Sequence, residues 1–293
     1  MHTELPQIAF AISEATQQRF ELRCSTPISG GDINETWRLE STEGTSYFLK
    51  LNDRQRQAMF VAEAAGLEAI AATGCIRVPR PVTYGICDAR SYLVMEHLEL
   101  GTHGNARLLG EQLAALHRHT EDRFGFTHNN FIGTTPQPNT WIESWVDFWR
   151  ECRLRFQLQL AARNGYAEVL RPPGEKLLAA LPAFFDGYTP QPSLLHGDLW
   201  GGNHAYLADR TPVIFDPAVY YGDRECDLAM TELFGGYPAE FYTAYRSVWP
   251  LDAGYDRRRS LYNLYHILNH ANLFGGGYVG QAGRMMTGLL ASI

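Results

Sequence analysis

Asp198, Asn203 and Asp216 have the residue types and the spacing of a site for phosphoryl transfer. Asp198 comes shortly after the apolar residues 194–195, and Asp216 ends the apolar run 213–215, so the pattern predicts two short strands that deliver both carboxylates to one edge of a sheet. Phosphoryl transfer needs one carboxylate to orient and deprotonate a hydroxyl, and an amide oxygen with a second carboxylate to hold Mg²⁺ on the phosphates of ATP. We therefore expect Asp198 to be the catalytic base, and Asn203 and Asp216 to be the metal ligands.

The interval from Asp198 to Asn203 is D-x-x-x-x-N, as in the catalytic loop of protein kinases. Gly201 and Gly202 make a tight turn between them feasible. Gly197 stands where protein kinases place an arginine, and the H-G-D-x-x-x-x-N form is that of small-molecule kinases such as aminoglycoside and choline kinases. A His-Gly-Asp turn without chemistry is the structural alternative, and the agreement of strand, spacing and second carboxylate disfavours it.

Six further segments, at 196–200, 214–218, 220–222, 227–230, 233–236 and 268–275, have characteristic sequences. With them, the chain resembles the fructosamine-3-kinase (ketosamine-3-kinase) family. The resemblance runs from about Gly30 to the C-terminus and is most specific between Trp200 and Gly236. Family members more often have serine at the place of Gly201 and histidine at the place of Asp223, and both departures concern the substrate side.

This resemblance implies ATP-dependent phosphorylation of the C3 hydroxyl of ketosamines, the Amadori products of sugars with amines. A phosphate on C3 is a good leaving group once C1 and C2 enolise, so the product decomposes and frees the amine of a protein or small molecule. One alternative is a kinase like the aminoglycoside or choline kinases that acts on another small hydroxylated amine. A non-catalytic, nucleotide-binding pseudokinase is the other alternative, and it is disfavoured because the residues expected for catalysis are all present.

The N-terminal part of the chain contains candidate ATP-binding residues. Gly30 and Gly31 precede a predicted β-hairpin, and Lys50 ends an apolar alternation in its second strand. A lysine at this point of a kinase can reach the α- and β-phosphates of ATP. Glu63, in the following helical segment, matches the glutamate that holds this lysine in the family. The alternatives are a simple glycine turn, an exposed strand lysine and a solvated helix charge.

The resemblance also implies a protein-kinase-like α/β fold. Its small N-lobe would comprise residues 1–98, with antiparallel strands and one helix, and the larger, mostly helical C-lobe would comprise residues 99–293. ATP would lie between the lobes, where main-chain groups of Glu96 and Leu98 would contact the adenine.

Four further residues are expected either to support the catalytic loop or to contact the substrate. Within the family fold, Asp227 would hydrogen bond the backbone of the catalytic loop, and His270 would lie on the acceptor side. A ketosamine carries a cationic amine beside a compact polyol, so its site needs carboxylates and aromatic walls, for which Asp223 and Trp200 are the candidates. His270 and His266 are four residues apart, a metal-ligand interval, but packing is the better interpretation because no third ligand is nearby.

Helical periodicity supports several core assignments. Residues 3–20 predict an amphipathic helix, and Trp141, Trp145 and Trp149 recur at helical spacing, which favours a buried stripe over a cofactor site. His117 is interpreted as a packing residue of a core helix. The proline-rich residues 172–192 predict only a short helix, at 175–185, with loops around it.

Composition excludes several classes of function. The chain has 293 residues, a net charge of −7 and a pI near 5.8, so no basic surplus exists to neutralise nucleic-acid phosphates. The five cysteines form no C-x-x-C pair, which predicts reduced thiols and no zinc site. Residues 1–14 have no basic region before an apolar core, and no run of ~18 apolar residues occurs, so we expect neither a secretory signal nor a membrane span. We expect a cytoplasmic protein without nucleic-acid or membrane partners, as a monomer or weak dimer.

Overall fold

The computed structural model describes residues 4–28 and 33–293, and the chain forms two compact units. The first unit contains Met1–Asn105 and Ala205–Asp216, and the second contains Ala106–His204 and Pro217–Ile293. The lobe boundary expected at residue 98 stays a prediction. Within the described ranges, no helix combines the length and the apolar character needed to cross a bilayer.

The first unit is built on a five-stranded antiparallel sheet with the strand order β1-β2-β3-β5-β4. The predicted hairpin is its centre, and Gly44, with a φ of +87°, allows the tight turn between β2 and β3. A separate two-stranded sheet pairs β9 with β10. The strands are β1 Leu22–Pro27, β2 Glu35–Ser41, β3 Ser46–Asp53, β4 Pro81–Cys87, β5 Arg90–Glu96, β9 His204–Tyr206 and β10 Pro212–Ile214.

Two helices cover this sheet. Helix α1 is Leu5–Thr16, and its Ile8 and Ile12 pack against buried residues of β2, β3 and β5, such as Leu49. Helix α2 is Gln57–Thr73 and contacts β4 and β5. Because strand side chains alternate between faces, Leu49 and Leu51 point to the α1 side and Lys50 points to the other face. The first helix is shorter than the expected span of 3–20.

The second unit is mainly helical, with short strand pairs β6-β7 and β8-β11. Its strands are β6 Asn130–Ile132, β7 Thr135–Gln137, β8 Ser193–Leu195 and β11 Tyr220–Gly222. Its helices are α3 Ala106–His117, α4 Trp145–Phe148, α5 Phe156–Arg163, α6 Ala167–Ala180, α7 Glu225–Leu233, α8 Ala239–Val248, α9 Tyr255–Phe274 and α10 Gly277–Leu290, with a π-helical segment at Trp149–Arg155 and a 3₁₀ turn at Leu181–Phe184.

The short helix expected at residues 175–185 has different bounds in the structure, so this expectation was wrong. Helix α6 begins at Ala167 and contains Pro172 and Pro173, although each proline removes a helical hydrogen bond. Burial of Leu170, Gly174, Leu177 and Leu178 compensates for these losses, because tertiary packing outweighs local propensity.

The tryptophan stripe is also only partly helical. Trp145 and Trp149 are buried, as expected for core residues, and their ring centroids lie 5.4 Å apart. Trp141 precedes the helical region and stacks instead on Tyr221, at a centroid distance of 6.0 Å. The periodicity therefore identified two core residues and misplaced the third.

Candidate active site

Lys50 forms a buried ion-pair cluster in the first unit. The β3 register places it opposite Thr36 and Leu93, and its Nζ donates to Glu63 Oε1 at 2.6 Å and to Asp216 Oδ1 at 2.5 Å. Burial lowers the pKa of Lys50, but attraction to Asp216 and Glu63 raises it more, so the net pKa lies above its usual range. The ammonium therefore stays charged and links strand β3, helix α2 and the segment that follows β10.

Asp216 keeps part of its carboxylate accessible. Its side chain is 45% exposed, and Oδ1 accepts the hydrogen bond from Lys50. Its φ is +58°, a left-handed conformation that aspartate tolerates better than most residues. The second carboxylate oxygen is thus the atom that a cation would contact.

The predicted catalytic loop, residues 196–203, begins in the second unit where β8 ends. Strand β8 pairs antiparallel with β11, with Leu195 opposite Tyr220. Gly197 follows with a φ of +85°, and a Cβ at this position would lie 2.1 Å from the carbonyl oxygen of Ala218. Because neither the conformation nor the space permits a side chain, the loop requires glycine at 197, the position at which protein kinases have arginine.

Asp198 and Asn203 lie on the two sides of this loop. The Nδ2 group of Asn203 donates to the carbonyl oxygen of Asp198 at 2.9 Å and to its Oδ2 at 3.4 Å. The loop itself is closed by a 3.0 Å hydrogen bond from the main-chain N–H of Asn203 to the main-chain carbonyl of Trp200. Because the side-chain nitrogen Nδ2 of Asn203 is used in the hydrogen bonds to Asp198, the side-chain oxygen Oδ1 is the atom suited to a metal ion.

Asp227, on α7, fixes the start of the loop. Its carboxylate is 1% exposed and accepts the main-chain N–H groups of His196, at 2.7 Å, and Gly197, at 2.8 Å. Burial raises the pKa of Asp227, but the contact with His117 and the loop hydrogen bonds lower it below its usual range. An ionised carboxylate therefore holds the backbone immediately before Asp198.

His117 is a site residue that sequence reasoning missed. It lies at the end of α3 and is fully buried, with Nε2 3.1 Å from Asp227 Oδ2 and Nδ1 2.8 Å from the hydroxyl of Tyr245. The sequence interpretation was core packing, which the burial agrees with, but the ring also orients the carboxylate that holds the loop. No local signal marks this contact, because the partners are more than 100 residues apart.

A set of exposed and half-buried aromatic side chains, which we term the aromatic shelf, extends from the loop to α9 and α10. Trp200 is 40% exposed and Phe274 is 63% exposed. Ring centroids are 6.4 Å apart for Trp200 and Phe234, 5.1 Å for Phe234 and His270, 5.6 Å for His270 and Phe274, and 5.1 Å for His270 and Tyr278. The shelf brings together the predicted Trp200 and His270. Phe234, Phe274 and Tyr278 were not predicted, although the first two lie in segments that carry the family resemblance.

The substrate role expected for Asp223 is wrong. Its side chain is 1% exposed and accepts hydrogen bonds from the hydroxyls of Tyr188, at 3.0 Å, and Tyr262, at 2.5 Å, and from the amide of Glu225. Burial raises the pKa of Asp223, opposed by these hydrogen bonds. A carboxylate enclosed in this way supports the packing of the second unit and does not face a substrate amine.

The remaining predicted residues, which are Glu96, Leu98, Gly30 and Gly31, are those expected to contact ATP. Glu96 ends β5, where its N–H donates to the Arg80 carbonyl at 2.9 Å and its side chain pairs with Arg77. Its N–H is therefore not available to an adenine ring, whereas its carbonyl oxygen and the main chain of Leu98, two residues further on, stay candidates. Gly30 and Gly31 lie outside the described residues.

The comparisons with known proteins agree over nearly the whole chain. A family model described as fructosamine kinase matches residues 4–292. A protein of Synechocystis named probable ketoamine kinase is 50% identical over 286 residues, which cover 95% of this chain and 94% of that protein. The chloroplastic protein-ribulosamine 3-kinase of Arabidopsis thaliana is 44% identical over 260 residues, which cover 87% of this chain and 79% of that protein.

Solved structures agree with the fold. A structure from Haemophilus somnus that carries fructosamine-3-kinase in its name aligns with a TM-score of 0.89 at 30% identity, over 97% of this chain and 96% of that one. The choline kinase of Streptococcus pneumoniae aligns with a TM-score of 0.61 at 14% identity, over 99% of both chains, and so indicates the fold alone. The predicted protein-kinase-like fold is confirmed.

Proposed function

The chain belongs to the fructosamine kinase family, and on this premise we propose that it transfers the γ-phosphoryl group of ATP to the C3 hydroxyl of ketosamines. The observation that carries the proposal is the buried ammonium of Lys50 held between Glu63 and Asp216. In kinases, a strand lysine paired with a helix glutamate contacts the phosphates of ATP, and a nearby aspartate holds Mg²⁺. A pseudokinase is disfavoured because this cluster occurs together with an intact Asp198 and Asn203.

We assign the ATP and magnesium contacts as follows. Lys50 contacts the α- and β-phosphates, and Asn203 and Asp216 provide oxygen ligands to Mg²⁺. The oxygen donors fit this hard cation. The side-chain nitrogen of Asn203 is already hydrogen bonded within the loop, which leaves Oδ1 for the metal ion. Lys50 binds Oδ1 of Asp216, which leaves Oδ2 of that residue. Bound Mg²⁺ neutralises charge on the phosphates during transfer.

Asp198 acts as the base in this proposal. The acceptor oxygen forms a bond to the γ-phosphorus while the bond from this phosphorus to the β,γ-bridging oxygen breaks. ADP leaves with the electron pair, and the hydroxyl proton passes to the Asp198 carboxylate. Asp227 keeps this carboxylate in place through the backbone of residues 196 and 197. The C3-phosphorylated product then loses phosphate after enolisation at C1 and C2 and frees the amine.

The aromatic shelf is the acceptor surface in this proposal. Trp200 lies two residues after Asp198, and His270 lies one helical turn beyond His266, which faces Asp198. A ring face can cover the apolar side of a sugar, and a secondary ammonium gains cation–π attraction from the same rings. This arrangement replaces the Asp223 contact expected from the sequence.

The acceptor assay discriminates between ketosamines and the alternatives. Purified protein with ATP and Mg²⁺ is given ketosaminyl-lysine, kanamycin or choline at equal concentration, and phosphate incorporation is measured, with Asp198→Asn as the inactive control. We expect labelling of the ketosamine, with ribulose- or fructose-derived sugars as acceptors. Labelling of kanamycin or choline but of no ketosamine would replace the proposal with the corresponding alternative.

A second measurement tests the shelf itself. Trp200→Ala should raise KM for the ketosamine more than KM for ATP, because the ring contacts only the acceptor in this proposal. The matched control is Trp141→Ala, which removes an aromatic ring that stacks on Tyr221 and is not part of the shelf. Equal effects of Trp200→Ala on both KM values would contradict the assignment.

We also propose that the acceptor is a free or protein-bound ketosamine and that the protein acts in the cytoplasm as a monomer or weak dimer. The Arabidopsis relative is named as chloroplastic, so its compartment differs from the one proposed for this chain. Light scattering during size-exclusion chromatography, at several concentrations, tests the oligomeric state.

A further inference from the structure

His270 lies in the middle of the aromatic shelf, and its two ring nitrogens have different surroundings. Nδ1 lies 2.8 Å from the main-chain carbonyl oxygen of His266, one turn earlier on α9. Nε2, on the other side of the ring, has no hydrogen-bond partner within residues 4–28 and 33–293. The side chain is only half-buried and Nε2 is not enclosed, so this nitrogen is open to a ligand on the shelf.

The contact with His266 fixes the role of Nε2 as an acceptor. A carbonyl oxygen only accepts hydrogen bonds, so Nδ1 carries the proton and donates it. A neutral imidazole has one donor and one acceptor nitrogen, which leaves the lone pair on Nε2. Because one side of the ring is anchored to the helix backbone, this lone pair has a fixed direction.

Three aromatic rings surround this acceptor on the shelf and favour a cationic partner. The ring centroids of Phe234, Phe274 and Tyr278 lie 5.1, 5.6 and 5.1 Å from that of the imidazole. An ammonium within about 6 Å of such a centroid is attracted by the ring face. Residues 260–290 contain no aspartate or glutamate, so this part of the chain offers a cation the imidazole lone pair in place of a carboxylate.

We propose that Nε2 of His270 accepts a hydrogen bond from the secondary ammonium of the ketosamine, so that the site selects acceptors whose amine carries an N–H group. The inference rests on the proposed phosphorylation of ketosamines and adds a specificity-determining residue to it. Attraction to the rings alone would accept any cation, whereas a lone pair with a fixed direction requires a donor. His270 thereby takes the role that sequence analysis assigned to Asp223.

The spacing along α9 suits this assignment. His266 marks the position of the base, because its Nδ1 is 4.0 Å from Asp198 Oδ1. His270 is four residues further on, which is a rise of about 6 Å along the helix. In a ketosamine, four bonds of about 1.5 Å separate the C3 oxygen from the amine nitrogen, so the two atoms are at most ~5 Å apart. With a hydrogen bond at each end, one acceptor molecule can reach Asp198 and His270 together.

Three acceptors that differ only at the amine test the inference. The first is a ketosamine with a secondary ammonium, the second is its N,N-dimethyl quaternary analogue, which keeps the charge but has no N–H, and the third is an ether with oxygen in place of nitrogen. Wild-type kcat/KM should fall roughly tenfold or more from the secondary to the quaternary amine, because Nε2 loses its donor. A further fall for the ether reports the attraction of the charge to the rings.

Two substitutions separate the lone pair from the ring. His270→Phe keeps an aromatic ring without an acceptor, so the preference for the secondary over the quaternary amine should shrink to less than ~3-fold, while the preference for the quaternary amine over the ether persists. His270→Gln supplies an amide oxygen near the position of Nε2 and should restore part of the first preference. The bulk of the added methyl groups is present in every comparison, so it cancels when the ratios of wild type and variant are compared.

A matched control separates contact from folding. His128→Phe makes the same substitution at an exposed histidine outside the shelf and should leave both preferences unchanged. The melting temperature and the KM for ATP of each variant report on folding and on the nucleotide site. If His270→Phe does not fold, His270→Gln is compared with His270→Asn, because the shorter side chain places its amide near Nδ1 and not near Nε2.

The outcomes are distinguishable from failure of the proposed function. Equal secondary-to-quaternary ratios in the wild type and His270→Phe would overturn the inference and leave ketosamine phosphorylation intact. A wild type that phosphorylates no ketosamine would overturn the proposed function and the inference together. A ratio that is large in the wild type, small in His270→Phe and partly restored in His270→Gln supports both.

Discussion

Replacement of Asp227 should lower turnover because the catalytic loop is displaced, although Asp227 itself contacts neither substrate. In Asp227→Ala, the N–H groups of His196 and Gly197 and the Nε2 of His117 lose their acceptor. At about 1–3 kcal/mol for each of these three buried groups, the free energy of unfolding should fall by about 3–9 kcal/mol. Since domains are stable by only about 5–15 kcal/mol, this variant would be marginal.

Asp227→Asn is therefore the more informative change. It preserves the side-chain shape and one oxygen, but it places an NH₂ group against N–H donors, so we expect a loss of about 1–3 kcal/mol. The loop then shifts slightly, and misplacement of a base by ~1 Å can cost ~10²-fold. We expect kcat to fall by ~10- to 100-fold while KM for ATP changes by less than ~3-fold.

The pH dependence of the free energy of unfolding is an independent test of the hydrogen bonds that Asp227 accepts from the loop. The pKa of Asp227 is lowered in the folded protein, so its contribution is fully present above the unfolded pKa of 3.8 and is lost as the pH falls through the folded pKa. The stability difference between the wild type and Asp227→Asn should therefore shrink below about pH 4.

The assay is urea unfolding and steady-state kinetics of the wild type, Asp227→Asn and the control Asp122→Asn, an exposed aspartate of the same unit. The control should match the wild type in both measurements. Wild-type kcat and an unchanged urea midpoint in Asp227→Asn would refute the argument that this carboxylate holds the loop.

Three further predictions follow from individual groups. Asp198→Asn should lower turnover by ~10²-fold or more while ATP still binds, and near-normal turnover would remove this residue from the mechanism. Asp216→Ala should abolish magnesium-dependent nucleotide binding, measured by calorimetry, and activity of the wild type in excess chelator would contradict the metal role. His266 has a folded pKa of about 3 against an unfolded value of 6.5, so only the unfolded state binds its proton between these values. Relative to His266→Asn, the wild type should lose about 1.4 kcal/mol of stability per pH unit below pH 6.5, and parallel urea midpoints from pH 7 to pH 5 would exclude a buried neutral imidazole.

The sequence was sufficient for the fold class and for the order of the candidate site residues. The apolar runs before Asp198 and Asp216 correspond to β8 and β10, and the alternation before Lys50 corresponds to β3. These signals are local, because hydrophobic alternation and a carboxylate at the end of a strand can be recognised within a few consecutive residues. The family resemblance pointed to Glu63, and the structure places this glutamate against Lys50. The catalytic roles of these residues stay predictions.

Which side chains are accessible was decided only by the tertiary structure. Asp223 has the same chemistry as Asp216, but Tyr188 and Tyr262, 35 and 39 residues away in the chain, enclose it. His117 acquires its partner from α7, and the helix through Pro172 exists because its buried face is packed. Burial and pairing depend on contacts between distant segments, and no local pattern encodes them.

The same reasoning applies to the acceptor side. The sequence named Trp200 and His270 separately, whereas the packing of α9 and α10 joined them to Phe274 and Tyr278 in one partly exposed surface. From sequence, His266 was one of two histidines at a helical interval. The tertiary structure placed its Nδ1 4.0 Å from Asp198 Oδ1, because the helix phase and the loop position jointly set that distance.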